Sequence, residues 1–407
     1  MLISPDQTGM SIEQLAALSE SGNVVAQFYL GMSYHLGLNT APDPQKAVHW
    51  WTQAAEQNNR EAQYLLGQCY YFGTAVQQDS EVAAAWYRRA AEQDHVQAQL
   101  NLAAMFLSGT GVPQSDDHAR YCLERAALAG SAAGAVTLAR LYEDGRGVPR
   151  DDEQAFVWFS RALELDTKNA DAAYSIGLMI REGRRPGTAS IEAVSWLERA
   201  AEAGHLLAQF ELGRIYLQGE LVLQDYGRSR HWFGLAAGQG HPAADFQLGL
   251  LHAQGLGGPR DPVRLLEHFT RAAEKGMPEA IYALGMMYAQ GKDVDRDPRR
   301  AAQWLDRLAE QGNVDAMFML GSLHDEDLND PAAAAGWYRR AAEKGHAPAQ
   351  YNLALLHQSA TGSLRDATQA RRWFEACIAT SRDAALAENA RRGMSVLAEA
   401  PAATGDL

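Results

Sequence analysis

Cysteine is scarce, and its three copies, Cys69, Cys122 and Cys377, are odd in number and scattered, which excludes a disulfide framework and fits reduced, buried thiols in a cytoplasm. Long hydrophobic runs are missing too. No stretch approaches the roughly 18 apolar residues that a membrane helix needs, so no membrane insertion is expected. The first 45 residues hold no Lys or Arg, and Met1 to Leu18 lacks an apolar block followed by a small-residue cleavage site, so export by that route is not expected. Positive charge is in deficit, with 36 basic against 50 acidic residues and a net charge of −14. That field repels phosphate backbones and anionic lipid, which makes nucleic acid a poor partner. A water-soluble cytoplasmic chain is the expectation.

What the sequence has in abundance is internal repetition. The segment AQFYLG begins at Ala26, and its alanine position recurs at Ala62, Ala98, Gly134, Ala172, Ala208, Ala244, Ala280, Ala316 and Ala349. Seven of the nine steps are 36 residues; that from Gly134 is 38 and that from Ala316 is 33. A period of this length means a solenoid of supersecondary units, each too small to bury its apolar face alone.

Each unit reads as two helices, A and B. In helix A a Leu-Gly or Leu-Ala pair follows the alanine by four and five residues and an aromatic or His by eight, as in Leu30-Gly31 and Tyr34 or Leu66-Gly67 and Tyr70, which is one helical face. Glycine closes the helix at Gly37, Gly73, Gly109, Gly145, Gly183, Gly219, Gly255 and Gly291, where a left-handed cap is cheap without a Cβ. Helix B opens on Asp43, Asp79, Asp151, Asp225, Asp261, Asp297, Asp330 and Asp366 as N-caps, with Pro44, Pro262, Pro298 and Pro331 at the first helical position. A tryptophan column follows at Trp50, Trp86, Trp158, Trp196, Trp232, Trp304, Trp337 and Trp373, usually before an Ala-Ala pair; large beside small predicts close interlocking of helices.

The combination, with helix B written out as WYRRAAEKG over Trp337 to Gly345, resembles the Sel1-like branch of the tetratricopeptide superfamily. The resemblance implies an all-α fold: a right-handed α/α superhelical solenoid of ten Sel1-like repeats over 23–381. Residues 1–22 are expected to supply an N-terminal capping helix, SIEQLAALSE from Ser11 to Glu20, and residues 382–407 a C-terminal capping helix and a frayed tail from Pro401. The junction RALELDTKNADAAYSIG, Arg161 to Gly177, is closer to a standard tetratricopeptide unit and coincides with the 38-residue step.

No catalytic constellation emerges. The G-x-G segments SGTGVP and EDGRGVP follow no strand and occupy the A-to-B connection, so Gly109 and Gly145 read as caps rather than a phosphate loop. His252, His324 and His357 share a helix A column, but equivalent positions in adjacent repeats stand about 8 to 10 Å apart, too far for one metal ion. His95, His205, His241 and His346 read as residues of the B-to-A turn. Asp325, Glu326, Asp327 and Asp330 form an acidic run in the shortened ninth unit that reads as a solvated turn, lacking the ligand rhythm of a calcium loop. Cys122 stands where most units have Trp and reads as a small core residue. No cofactor or metal is expected, and no enzyme.

Columns that vary between repeats are free to face a partner. On helix A these lie three, six and ten residues after the alanine, one stripe of the helix, which the resemblance places on a concave groove. The stripe is apolar at its start, with Tyr29, Met32, Leu36, Leu65, Gln68 and Phe72. It turns polar through Asn101, Arg140, Arg214 and Gln247, then apolar again at Met286 and Met319, with Met317 on the adjoining column. The expected function is a non-catalytic adaptor holding a protein or peptide in this groove, which matches the assembly, signalling and host-interaction roles that the resemblance implies for bacterial Sel1-like proteins. Two alternatives remain open: β-lactam binding or hydrolysis, as in cysteine-rich Sel1-like proteins whose repeated disulfides this chain lacks, and an envelope scaffold for polysaccharide or secretion machinery. Partner identity and oligomeric state are not written in these patterns.

Overall fold

The computed structural model describes residues 10–185, 187–359 and 364–399. Among them are 22 α-helices and one π-helical turn, following one another in antiparallel pairs along a repeat solenoid. The chain forms two compact units, Met1–Gln209 and Phe210–Leu407.

The caps fall where local chemistry puts them. All eight expected aspartates are N-caps, and Asp43 Oδ1 accepts from the amide of Lys46 at 3.0 Å. Each such cap contributes about 1 kcal/mol. The four prolines follow them directly. Six of the eight closing glycines are left-handed C-caps; Gly219 and Gly183 are also left-handed, Gly219 directly after helix Leu206–Gln218 and Gly183 one residue past the cap Glu182. Two residues further on a second left-handed position recurs, filled by Gly111, Gly147 and Gly257 and elsewhere by Asn39, Ala75, Leu221 and Asp293. The two glycines of each G-x-G segment are therefore turn residues.

The tryptophan column needs a correction. Trp232 and Trp373 are buried, but the other six indoles are only half-buried. The residue that locks the helices together is the next one: Trp51, Tyr87, Phe159, Leu197, Phe233, Leu305, Tyr338 and Phe374 are all about 1% exposed or less. It faces the glycine five residues after the helix A alanine. A Cβ on Gly31, Gly67, Gly213 or Gly249 would lie 2.5 Å from the ring of Trp51, Tyr87, Phe233 or Phe269. The preceding tryptophan bridges core and water, and in four repeats an arginine three residues later covers it, at 4.7 Å for Arg89 on Trp86 and 4.3 Å for Arg340 on Trp337, a cation–π contact worth about 0.5–1 kcal/mol at such exposure.

A second buried column joins five of the repeats to the helix B before them. Gln27, Gln63, Gln99, Gln209 and Gln350 are buried, and each donates its side-chain amide to a carbonyl at the end of the preceding helix B, as Gln63 does to Ala55 at 3.0 Å. The carbonyl takes this bond beside the one from the turn amide three residues on, as Ala55 does from Asn58 at 3.0 Å, at a helix end where the regular bond from the fourth residue on is missing. At the N-terminal end helix Ile12–Glu20 plays the part of helix B, its Ser19 carbonyl accepting from Gln27 at 3.1 Å. At the other end Ala384–Glu399 imitates helix A, setting Gly393 against Phe374. The tail expected from Pro401 lies outside the described residues.

Both irregular spacings fall in or beside connections. One of the two extra residues extends helix Asp152–Leu165 to 14 residues, and the other lengthens the connection to Ala170–Arg181. The three missing ones come out of the A-to-B connection of the ninth repeat, where helix Val314–Ser322 runs directly into the π-helical turn Leu323–Asp327, which replaces the glycine cap. Asp325, Glu326 and Asp327 are thus helical rather than a solvated turn, and Asp330 caps the helix that follows. Burial raises the Asp325 carboxyl above its ordinary range, and Asp327 pairs with Arg296 of the preceding repeat.

Candidate functional site: the helix A face

The variable stripe reaches the surface, least at three and six residues after the alanine and most at ten. In the first unit Tyr29, Met32, Leu65, Gln68 and Asn101 are half-buried, Arg140 is exposed, and Leu36 and Phe72 stand out at 53% and 68% exposure. Leu36 and Phe72 each occupy the last helical position before the glycine cap, which carries the side chain past the neighbouring helices.

Two clefts adjoin at Phe72. One, of about 180 Å³, is lined by Trp51, Leu65, Gln68, Cys69 and Phe72. The other, of about 310 Å³, is lined by Tyr71, Phe72, Tyr87, Asn101 and Met105. The structure therefore brings Leu65, Gln68, Phe72 and Asn101 to one place. Tyr71 meets the Phe72 ring edge-on at 5.1 Å. Gln68 donates to the Tyr64 hydroxyl at 2.9 Å. Asn101 lies beside the hydroxyls of Tyr64 and buried Tyr87, and its counterpart Asn352 donates to the Tyr338 hydroxyl at 3.1 Å, so this position serves the core as well as the face. Burial pushes the Tyr87 hydroxyl up to about 12 and the Cys69 thiol up to about 11, leaving both neutral. Arg140 extends toward Asp171 of the next repeat at 3.9 Å.

In the second unit Arg214 pairs with Glu211 at 3.3 Å, and Gln247, Met286 and Met319 are half-buried. Met317 corrects the sequence reading: at 2% exposure it belongs to the core. Its column, one residue after the alanine, is the buried glutamine column, with Ile281 and Met317 as apolar replacements. Met319 packs on the same core, so the apolar end expected here is weaker than the one around Phe72.

The turn histidines are helix caps. Nδ1 of His95, His205, His241 and His346 accepts from the amide three residues on, at 3.1–3.3 Å, in the place that Asn23, Asn59, Asn169 and Asn313 fill elsewhere. The rings of His95, His205 and His241 stack on an aromatic of the preceding repeat, His205 on Tyr174 at 4.2 Å and His241 on Phe210 at 4.3 Å, and that of His346 is tilted against Phe318. Burial lowers the basicity of His205, His241 and His346, against the pull of Asp171 on His205 and Asp315 on His346. All three cysteines are buried free thiols. Among the described residues no group of three or more His, Cys, Asp and Glu side chains is placed to hold a metal ion, and no helix is long and apolar enough to cross a membrane.

Two features escaped the sequence reading. The buried glutamine column was legible as a polar residue recurring beside the core alanine. In the seventh repeat that column holds Asp245, and His268 stands in the tryptophan column. Asp245 is 0% exposed, bonded to His268 at 3.0 Å and Arg271 at 2.7 Å, with Lys275 at 3.6 Å. Two departures from the repeat pattern within one unit were the available signal.

The Sel1 repeat family matches the chain ten times in succession, over residues 24–59, 60–95, 96–131, 133–166, 170–205, 206–241, 242–277, 278–313, 314–346 and 347–376. No curated protein matches it. Among solved structures it is similar to c5321, a protective antigen present in uropathogenic Escherichia coli strains that displays an SLR fold. The identity is 30%, the TM-score 0.68, and the match covers 97% of this chain and 91% of that one. It is also similar to a Sel1 repeat protein from Oxalobacter formigenes, at 34% identity and a TM-score of 0.59, over 68% of this chain and 80% of that one. With ten tandem matches filling the helical array, the chain belongs to the Sel1 repeat proteins.

Proposed function

We propose that the protein is a non-catalytic scaffold that captures a protein or peptide partner on the helix A face of its first three repeats. The observation that carries this reading is Phe72, an aromatic ring left 68% exposed between two clefts. Binding energy at protein interfaces concentrates in a few aromatic anchors beside pockets, and an uncovered apolar patch on a helical face suits an extended peptide or a partner helix. Leu36 extends the patch by one repeat. Arg140 lies on the same stripe of the fourth repeat and suits polar or acidic partner groups. Three free thiols suit a reducing compartment, and the cytoplasm is the proposed location.

The test is affinity capture from the native cell with mass spectrometry, comparing the wild-type protein with Phe72→Glu and with the pair Leu36→Glu and Phe72→Glu. Both positions are exposed, so circular dichroism and melting should be unchanged while the specific partners disappear. Identical capture by wild type and double variant would refute this face as the binding surface. Tyr29→Glu and Met319→Glu extend the map to the half-buried positions, where a loss of fold would place them in the core.

A further inference from the structure

We propose that the cleft above Cys122 is a binding site for a flat aromatic ring of indole size that carries a carboxylate. The repeats themselves define the shape. At this column helix B carries tryptophan in eight repeats, and the third repeat has Cys122 instead. The surrounding frame is kept: helix A runs over Val96–Ser108 and helix B over Asp116–Leu128, the same lengths as in the neighbouring repeat.

The result is an open cleft of about 530 Å³, floored by Leu102, Phe106 and Cys122 and bounded by Ala91 and Pro113. That volume and its mostly apolar lining are those of a small-ligand site. The eighth repeat shows the same place filled. There a cleft of about 370 Å³ is lined by Thr270, Tyr288, Trp304 and Arg307, the counterparts of Arg88, Phe106, Cys122 and Arg125. Arg307 covers the Trp304 indole at 5.1 Å. Arg125 has no indole to cover; it turns to Asp94 and stands 5.8 Å from the Tyr121 ring, which is itself exposed. A ring entering the cleft takes the place of the missing indole, with Phe106 beneath it, held there by stacking on His118 at 5.0 Å.

The rim supplies the charge preference. Arg88 is exposed, lines the cleft and has no ion-pair partner among the described residues. Glu92 also lines the mouth, so a carboxylate on the ring is accepted on the Arg88 side and repelled on the Glu92 side. Guanidinium and carboxylate make a charge-assisted pair, and the guanidinium of Arg125 lies within reach of the outer ring face. Cys122 packs against the ring as a neutral thiol, since burial pushes its pKa up to about 11. The same chemistry comes from a free aromatic acid or from a tryptophan beside an acidic residue in a peptide.

Isothermal titration calorimetry on the full chain tests this with two probes, indole-3-propionate and an acetylated Trp-Asp-containing hexapeptide. Saturable one-to-one binding of at least one probe is expected. It should weaken at least tenfold in Cys122→Trp, which fills the slot as the other repeats do, and severalfold in Arg88→Gln. Binding of 3-methylindole, which lacks the carboxylate, should respond to Cys122→Trp and not to Arg88→Gln. The tighter of the two charged probes identifies the source. No saturable binding of either probe to the wild-type protein overturns the proposal, as does undiminished binding in a folded Cys122→Trp protein. If that variant loses its helical signal, Cys122→Leu fills part of the slot and Arg88→Gln is a surface change, and binding that ignores both is equally decisive against it.

Discussion

A Cβ on Gly213 would lie 2.5 Å from Cδ1 of Phe233, so the ring of one helix occupies the space that any other residue would need on its partner. Gly213→Ala is therefore expected to destabilise the second unit by about 1–3 kcal/mol through overpacking. The chain contains the remedy, because the third repeat pairs Ala103 with Leu123, both buried, at the same two positions. Phe233→Leu should restore most of the loss in the Gly213→Ala background while costing stability on its own. Denaturant midpoints of the four proteins, followed by circular dichroism, give the coupling, and additive losses would show that the two residues do not share one space.

Helix Pro278–Gln290 is preceded by Met277, which makes no side-chain cap, whereas Asn313 in the next repeat accepts from Ala316 at 2.9 Å. Met277→Asn should supply the missing acceptor and raise stability by about 0.5–1 kcal/mol. The check is the unfolding midpoint, with Asn313→Ala as the opposite change in the same unit.

The histidine caps give the protein a pH dependence of defined sign. Burial lowers the folded-state basicity of His205, His241 and His346 below the ordinary value of 6.5, and Nδ1 can cap only while it is unprotonated. The unfolded chain then binds more protons, so stability is whole above about pH 7, falls as pH drops through the unfolded value near 6.5, and levels off below the folded values. Melting at pH 7.5 and 5.5 should show this loss. The triple change His205→Asn, His241→Asn and His346→Asn keeps an acceptor at each cap and should remove much of it; an unchanged slope would assign the dependence to other groups.

Repetition made most of the fold legible, because ten aligned copies turn each structural requirement into a column. Aspartate caps and closing glycines act within a few residues of chain, so they could be placed from sequence alone. Side-chain direction could not. The conspicuous tryptophan draws attention, yet one residue further round the helix, at about 100°, Phe233 or Tyr338 faces the partner glycine while the indole edges into water. Met317 was misread for the same reason, since one position separates a buried column from a surface stripe. The clefts at Phe72 and Cys122 depend on how neighbouring repeats nest, which periodicity does not convey.

Asp245 shows how a repeat array absorbs a change of chemistry. In the first repeat buried Gln27 receives a hydrogen bond from Gln57 at 2.8 Å and reaches Gln53 at 3.3 Å. The seventh repeat recasts this neutral network as ions, with Asp245 for Gln27, Arg271 for Gln53 and Lys275 for Gln57, and His268 replacing the tryptophan. Burial alone would raise the Asp245 carboxyl, but the His268 hydrogen bond and Arg271 outweigh it and hold it below its ordinary value. Its stabilisation is thus present above the unfolded value near 3.9 and lost as pH falls below it. Asp245→Gln leaves the cations without their anion, and His268→Trp takes one bond from a buried carboxylate, so each should destabilise by about 1–3 kcal/mol. Together they rebuild the glutamine–tryptophan pairing of the first, second, sixth and tenth repeats, and the double variant should lose at least about 1 kcal/mol less than the sum of the singles. It should also lose the steep acid limb below pH 4. Unfolding of the four proteins at pH 7 and pH 3.5 decides the point: strict additivity would mean that Asp245 and His268 are not energetically coupled, each being held by its own surroundings.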